Sequence, residues 1–356
     1  ALGFPIGPQV FHISNLIYHW MTACAVFLLA FRLSNTPLGQ QSRPAKIASI
    51  DERAVRWLPA VVISILWAIH PVHTESVTYI SGRRDILTTL FFVLAFLSFL
   101  SWRERNDWCR RCFSICGVWV FYGLGVASKE MAITLPLVML AYDFFQEAMP
   151  RKAKDPLNIR YIAFLFCTVV RTVWKHKFLY VPFAFAGLYA AWQITFVTLP
   201  TWAIPWHGGS VVNNFLTTGR IWVYYIYLLC APVTLLADYS GYFSVSSSIL
   251  EPQAWASIIL LSAVALGMLL AARFSWLIAF GIAWFGVTLL PVSHIIPYPE
   301  MVAEHYLYLP SIGFMLVFGT GLSNIIDDRL AHHPWRAVLA TSVPVLVLAG
   351  ACAKVL

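Results

Sequence analysis

This sequence is poor in charge. Only 11% of its 356 residues are Asp, Glu, Lys or Arg, with 16 acidic against 24 basic. A soluble chain of this length needs far more polar surface to cover its core, so two ordinary soluble domains are excluded. Cysteine is also sparse, and the seven present form no disulfide framework. The pair in CRRC, 109 to 112, stands alone in what reads as a short basic loop, without the further ligands of a metal site or the βαβ context of a redox motif. The other cysteines lie in or beside apolar runs, as small hydrophobes do. No Walker loop, Rossmann fingerprint, H-E-x-x-H motif or serine-histidine-aspartate arrangement occurs. No internal repeat supports a duplicated transporter.

What is present is apolar: 60% hydrophobic residues and a mean hydropathy of +0.73. The apolar residues come in blocks of membrane-spanning length separated by polar turns. The chain therefore reads as an all-α polytopic membrane protein. The net charge of +8 comes from basic clusters at 43–56, 103–111, 151–160 and 171–177. Short loops of this kind are retained on the cytoplasmic side, and nothing in them has the context of nucleic-acid binding.

The opening ALGFPIGPQVFHISN has no basic n-region and no cleavage site, so it is not a signal peptide. Residues 1–12 read as the tail of a non-cytoplasmic loop, and the chain as the interior portion of a longer protein. About ten spans follow across 13–356. They are expected near 13–33, 57–70, 86–102, 113–127, 131–145, 181–197, 254–272, 275–291, 311–326 and 336–352. YIAFLFCTVV, 161–170, reads as an interfacial helix. The stretch 221–236 is ambiguous between a span and a surface or re-entrant element, and the Trp/Pro/Gly-rich run before it is expected at the outer interface.

With the basic loops in the cytoplasm, three charged loops face outward: HPVHTESVTYISGRRD, SKE, and PVSHIIPYPEMVAEHYLYLP. Ionisable groups gathered beside apolar helices point to a shared polar cavity. Lys129 suits a phosphate as a point charge, with Glu130 orienting it; the alternative is a Lys129–Glu130 ion pair at a helix break. Arg83 and Arg84 could offer planar forks to the same anion, or contact lipid headgroups. His70, His73 and Glu75 have a superficial metal spacing, but Pro71 interrupts it; hydrogen-bonded packing of His70, with Glu75 or Glu304 as partner, is the preferred reading. On a helix, Glu300, Glu304 and Tyr308 would share a face beside His305, able to hold sugar hydroxyls or steady a leaving phosphate; the alternative is an interfacial helix with aromatic anchors. Asp238 and Tyr239 are a turn pair by default and cavity residues if the topology holds. Such a cavity fits a substrate that carries its own membrane anchor and phosphate.

Four stretches carry a resemblance: AIHPVHTESVTYISGRRDILTTLFFVLAFLSF, GLGVASKEMAITLPLVMLAYDFF, YLLCAPVTLLADYSGYFSV and WFGVTLLPVSHIIPYPEMVAEHYLYLPSIGF. In this order they resemble the membrane region of the transmembrane and tetratricopeptide-repeat O-mannosyltransferases, within the GT-C glycosyltransferases. The resemblance implies a GT-C-like helix bundle, incomplete at the N-terminus. It also implies transfer of a sugar, mannose in the characterised branch, from a polyprenyl or dolichyl phosphosugar to Ser or Thr of a secreted protein. Lys129, with Arg83 or Arg84, would hold the donor phosphate, and Glu304 and His305 would line the chamber. No metal or other cofactor is implied.

The acidic pair such enzymes carry in their first outward loop would fall upstream of Ala1, and the tetratricopeptide region beyond Leu356. No catalytic base is therefore assigned. A flippase for lipid-linked saccharides or phospholipids, and a GT-C transferase with a non-protein acceptor, remain the alternatives. Bacterial plasma membrane and endoplasmic reticulum are both compatible, with the active face outward or luminal.

Overall fold

The computed structural model describes residues 7–36, 52–148, 159–177, 179–180, 183–184, 187–188, 205–239, 241–271, 275–297 and 300–332. The expected span at 181–197 lies mostly, and that at 336–352 wholly, outside them. Every regular element among the described residues is helical, giving the all-α polytopic bundle that the composition implies and that the resemblance describes as GT-C-like. Among the described residues four helices are long and apolar enough to cross a membrane, and a fifth crossing results if one bent pair counts as a single span. The chain is a multi-pass membrane protein.

Helix α1, Pro8–Ser34, begins before the expected 13 because Pro8 occupies its first turn, where the missing N–H costs nothing. Helix α2, Glu52–Ala68, stops three residues before Pro71. A 3₁₀ turn, Pro71–His73, and the short α3, Thr74–Thr78, continue at 51° to it. Helix α4 spans Arg83–Glu104 and turns back through three residues into α5, Trp108–Ser128. Asp107 caps α5 by accepting the Arg110 amide at 3.1 Å. CRRC is consequently helical rather than a loop, and Cys109 is exposed on it.

At Lys129 the backbone is fully extended (φ −162°, ψ 150°), and a 3₁₀ turn, Glu130–Thr134, leads into α6, Leu135–Ala148. Helix α7, Ile159–Lys175, contains the segment read as interfacial. Helix α8, Val211–Cys230, takes up the first ten residues of the ambiguous stretch. Ser210 caps it by accepting the Asn213 amide, so half of the run assigned to the outer interface is helical. It ends at Cys230 because Pro232 disfavours helical geometry at Ala231, leaving 231–236 non-helical. Helices α9, Pro252–Ala271, α10, Trp276–Leu289, and α11, Ser311–His332, complete the described chain.

Between lipid-embedded helices, close van der Waals packing does the work that water exclusion does elsewhere. Phe92, Phe96 and Phe99 on α4 interleave with Phe280 and Trp284 on α10 and with Tyr142 on α6. Helices α10 and α11 meet at Gly281 and Gly313, where a Cβ on Gly313 would come within 2.6 Å of the Phe285 amide nitrogen. Helices α1 and α4 run alongside in the same direction. Asn15 near the start of α1 donates to the carbonyls of Val77 and Tyr79 just before α4, and Arg32 near its end reaches Ser101 and Glu104. The polar loops after α2, after α5 and before α11 converge at the end where α4 begins.

Candidate functional site

At that end lies a cavity of about 720 Å³, lined by the loops at 74–84, 129–130, 235–237 and 300–306. Seven of the residues singled out in the sequence line it: Glu75, Arg84, Lys129, Glu130, Glu300, Glu304 and His305. They come from three sequence-distant loops, and the non-helical segment after α8 supplies the apolar wall of Leu235, Leu236 and Ala237.

Lys129 does not pair with its neighbour Glu130. Its ammonium lies 2.7 Å from Asp85 Oδ1, both side chains being buried, and 5.1 Å from the Tyr306 ring centre. The extended backbone at Lys129 turns its side chain toward α4, while Glu130 is left exposed. Asp85 was legible only as an acid in the first turn of a helix, a common and favourable position. Its burial among apolar side chains was the missing sign that it needed a cation.

Arg83 and Arg84 do not act together. Consecutive residues on a helix point about 100° apart. Arg83 donates to the Ile80 carbonyl and lies over the Phe11 ring, away from the cavity, while Arg84 lines it.

The expected face of Glu300, Glu304 and Tyr308 does not form, because the chain is extended through Ala303 (φ −149°, ψ 142°) and the following turn is 3₁₀. Glu300 lies at the cavity, and Tyr308 is buried behind it, bonding His19 Nδ1 at 2.7 Å. Glu304 is 3% exposed, and its Oε1 accepts the Tyr239 hydroxyl at 2.7 Å and the Leu236 amide at 2.8 Å. Burial pushes its carboxyl up to about 7 despite those donors. Tyr239 is thus a support behind Glu304, its phenol pushed further up by burial and by that carboxylate. Asp238 is exposed and does not line the cavity.

Glu75 holds His305 twice: Oε2 accepts the His305 main-chain amide at 2.9 Å, and Oε1 lies 2.6 Å from Nδ1. His305 Nε2 is 3.8 Å from Glu300 Oε2. Burial works against the imidazolium, but Glu75 and Asp85 outweigh it and raise the His305 pKa.

His70 and His73 are buried in hydrogen-bonded packing and do not line the cavity. His70 Nε2 lies 3.1 Å from the Leu229 carbonyl, which can only accept, while Nδ1 accepts the Val72 amide. The ring is therefore a neutral Nε2–H tautomer, and its partner is Leu229 rather than Glu75 or Glu304. His73 bonds Ser311 Oγ at 3.0 Å and packs on Trp67 and Tyr308. His19, not singled out in the sequence, follows the same logic: Nε2–H faces the Ala68 carbonyl and Nδ1 accepts from Tyr308. Among the described residues no three His, Cys, Asp or Glu side chains converge as metal ligands.

Fold and site together define a polytopic membrane bundle with a mixed-charge cavity at the bundle's end. Curated relatives share that membrane region. Protein O-mannosyl-transferase Tmtc3 of Drosophila melanogaster is 24% identical over 97% of this chain and 40% of its own length. Protein O-mannosyl-transferase F38B6.6 of Caenorhabditis elegans is 28% identical over 80% of this chain and 37% of its own. TMTC1 of Mus musculus is 26% identical over 81% and 39%. These likenesses make the chain a distant relative of the O-mannosyl-transferases at the level of the superfamily, and it spans about two fifths of those relatives' length. No family model matches the chain, and no solved structure does.

Proposed function

We propose that the protein is a glycosyltransferase that moves a sugar, mannose by kinship, from a polyprenyl or dolichyl phosphosugar to Ser or Thr hydroxyls of secreted or membrane proteins. The observation that carries this reading is the cavity at the end of membrane-length helices, with Arg84 and Lys129 in its wall beside carboxylates and Tyr306. Arg84 offers a planar fork for phosphate oxygens and Lys129 a point charge. Glu304 and Glu300 offer acceptors for sugar hydroxyls. The apolar wall of Leu235, Leu236 and Ala237 suits the start of such a donor's lipid tail. The Asp85 partner keeps Lys129 in place when no phosphate is bound and is drawn on when one arrives. The membrane is that of the endoplasmic reticulum or the bacterial cell, with this end outward or luminal.

A flippase reading draws on one observation, the 51° break after α2, because discontinuous helices are common in transporters. The test separates the two. Membranes carrying the protein receive polyprenyl phosphomannose and a Ser/Thr-rich peptide, and transfer is followed for the native protein and for Lys129→Ala. Lipid-dependent transfer that falls about 10²-fold or more in the variant supports the transferase, that being the usual scale for losing one preorganised charge-stabilising group. Movement of the donor across the bilayer without transfer supports the flippase.

A further inference from the structure

The Glu75–His305 pair joins two loops that are 230 residues apart and leaves one imidazole nitrogen for the cavity. Glu75 engages Nδ1 and the main-chain amide of the same residue, which fixes both the ring's plane and its tautomer. Nδ1 carries a hydrogen directed at the carboxylate, and Nε2 points toward Glu300 and the cavity. Resting on the transferase reading above, we infer that His305 is a catalytic residue whose Nε2–H donates a hydrogen bond to the departing phosphate oxygen, with Glu75 as its positioning residue.

The chemistry needs such a donor. As the acceptor hydroxyl oxygen bonds to the anomeric carbon, the bond from that carbon to the phosphate oxygen breaks. Its electron pair stays on the phosphate, and the hydroxyl proton leaves to water. Negative charge thus grows on one oxygen, where a preorganised donor is most effective. Asp85 takes one donor of Lys129 at 2.7 Å and Glu75 takes only Nδ1 of His305, so His305 can add a second cationic donor beside Lys129. An imidazolium held this way keeps its second N–H available at no cost in reorganisation.

The charged groups facing His305 come from every surrounding element. Glu75 on α3, Asp85 at the start of α4 and Glu300 in its own loop favour the imidazolium, and Lys129 opposes it. Glu304, its chain neighbour, also faces the imidazolium while accepting from Tyr239 and Leu236. The raised His305 pKa agrees with a group that is protonated when the donor binds.

The test is the pH dependence of transfer from polyprenyl phosphomannose to a Ser/Thr-rich peptide, over about pH 5.5 to about pH 9, with the protein in its membrane. The native enzyme should lose kcat on the alkaline side, with a midpoint above the ordinary imidazole value of about 6.5. Glu75→Gln should move that limb to lower pH. His305→Asn retains an amide near the Nδ1 position, so the brace to Glu75 persists, but nothing reaches the cavity; kcat should fall about 100-fold and the alkaline limb disappear, with donor KM little changed. His305→Gln, which restores a neutral donor near Nε2, should recover part of the loss. Native kcat in His305→Asn, or an alkaline limb unmoved in every variant, overturns the assignment. Absence of transfer by the native protein itself overturns the transferase reading, an outcome distinct from an active native enzyme indifferent to His305.

Discussion

Lys129 and Asp85, 44 residues apart, form a 2.7 Å ion pair that the Glu next to Lys129 takes no part in. The pair ties the break between α5 and α6 to the first turn of α4, at the cavity wall. Removing one partner strands a buried charge, which costs about 3–5 kcal/mol, whereas replacing both with apolar groups is close to neutral. Asp85→Ala should therefore lower the thermal unfolding midpoint of the detergent-solubilised protein sharply, and Asp85→Leu with Lys129→Met should restore most of it. An Asp85→Ala midpoint equal to native would mean that the pair is not formed in the folded protein.

Glu304 makes stability depend on pH in an unusual direction for a carboxylate. Its folded pKa, about 7, lies above the ordinary 4.5, so the folded state holds this proton where the unfolded chain has released it. Stability contributed here is present below the unfolded value and is lost as pH rises to about 7. Glu304→Gln should flatten the decline of the unfolding midpoint across that window while keeping an acceptor for Tyr239 and Leu236. An unchanged pH dependence in the variant would remove burial of Glu304 from the account.

Gly281 and Gly313 let α10 and α11 approach backbone to backbone. A methyl on Gly313 would meet the Gly281 carbonyl oxygen at 2.5 Å and Trp284 Cβ at 3.0 Å. Neither neighbour is the end of a flexible chain, so the helices must separate. Gly313→Ala should cost about 1–3 kcal/mol, as overpacking usually does. Because α11 begins four residues after Leu307, the shift should also weaken donor binding. Chemical denaturation in mild detergent, with a lipid-donor binding assay, checks both.

Tyr308 is a buried partner of His19 and not a cavity residue. Tyr308→Phe leaves His19 Nδ1 without its 2.7 Å donor, a loss of about 1–3 kcal/mol. Transfer per folded molecule should stay near native. A large fall in kcat with intact folding would return Tyr308 to the site.

How much of this was legible in the sequence differs from residue to residue. The apolar blocks announced α1, α4, α9 and α10 because lipid demands long, uninterrupted apolar helices whatever their partners. The starts of α5 and α8 were missed, since capping by Asp107 and Ser210 extended helices into polar residues that periodicity counts as loop. The gathering of charge in HPVHTESVTYISGRRD, SKE and EMVAEHYLYLP drew attention to Glu75, Lys129 and His305, because charge beside apolar helices is costly, and the structure brings all three to the wall of one cavity.

The amino-acid sequence alone determined the solvent of this protein and the loops in which its polar chemistry had to lie, since both follow from composition counted along the chain. Which polar groups meet was decided by the tertiary structure. Glu75 reaches His305, Asp85 takes Lys129, and Tyr239 supports Glu304 across separations of 230, 44 and 65 residues. Pairings of that kind depend on the directions in which folded backbones turn their side chains. The extended backbone at Lys129 and the 3₁₀ turn at Glu304 set those directions, and local spacing carries no record of them.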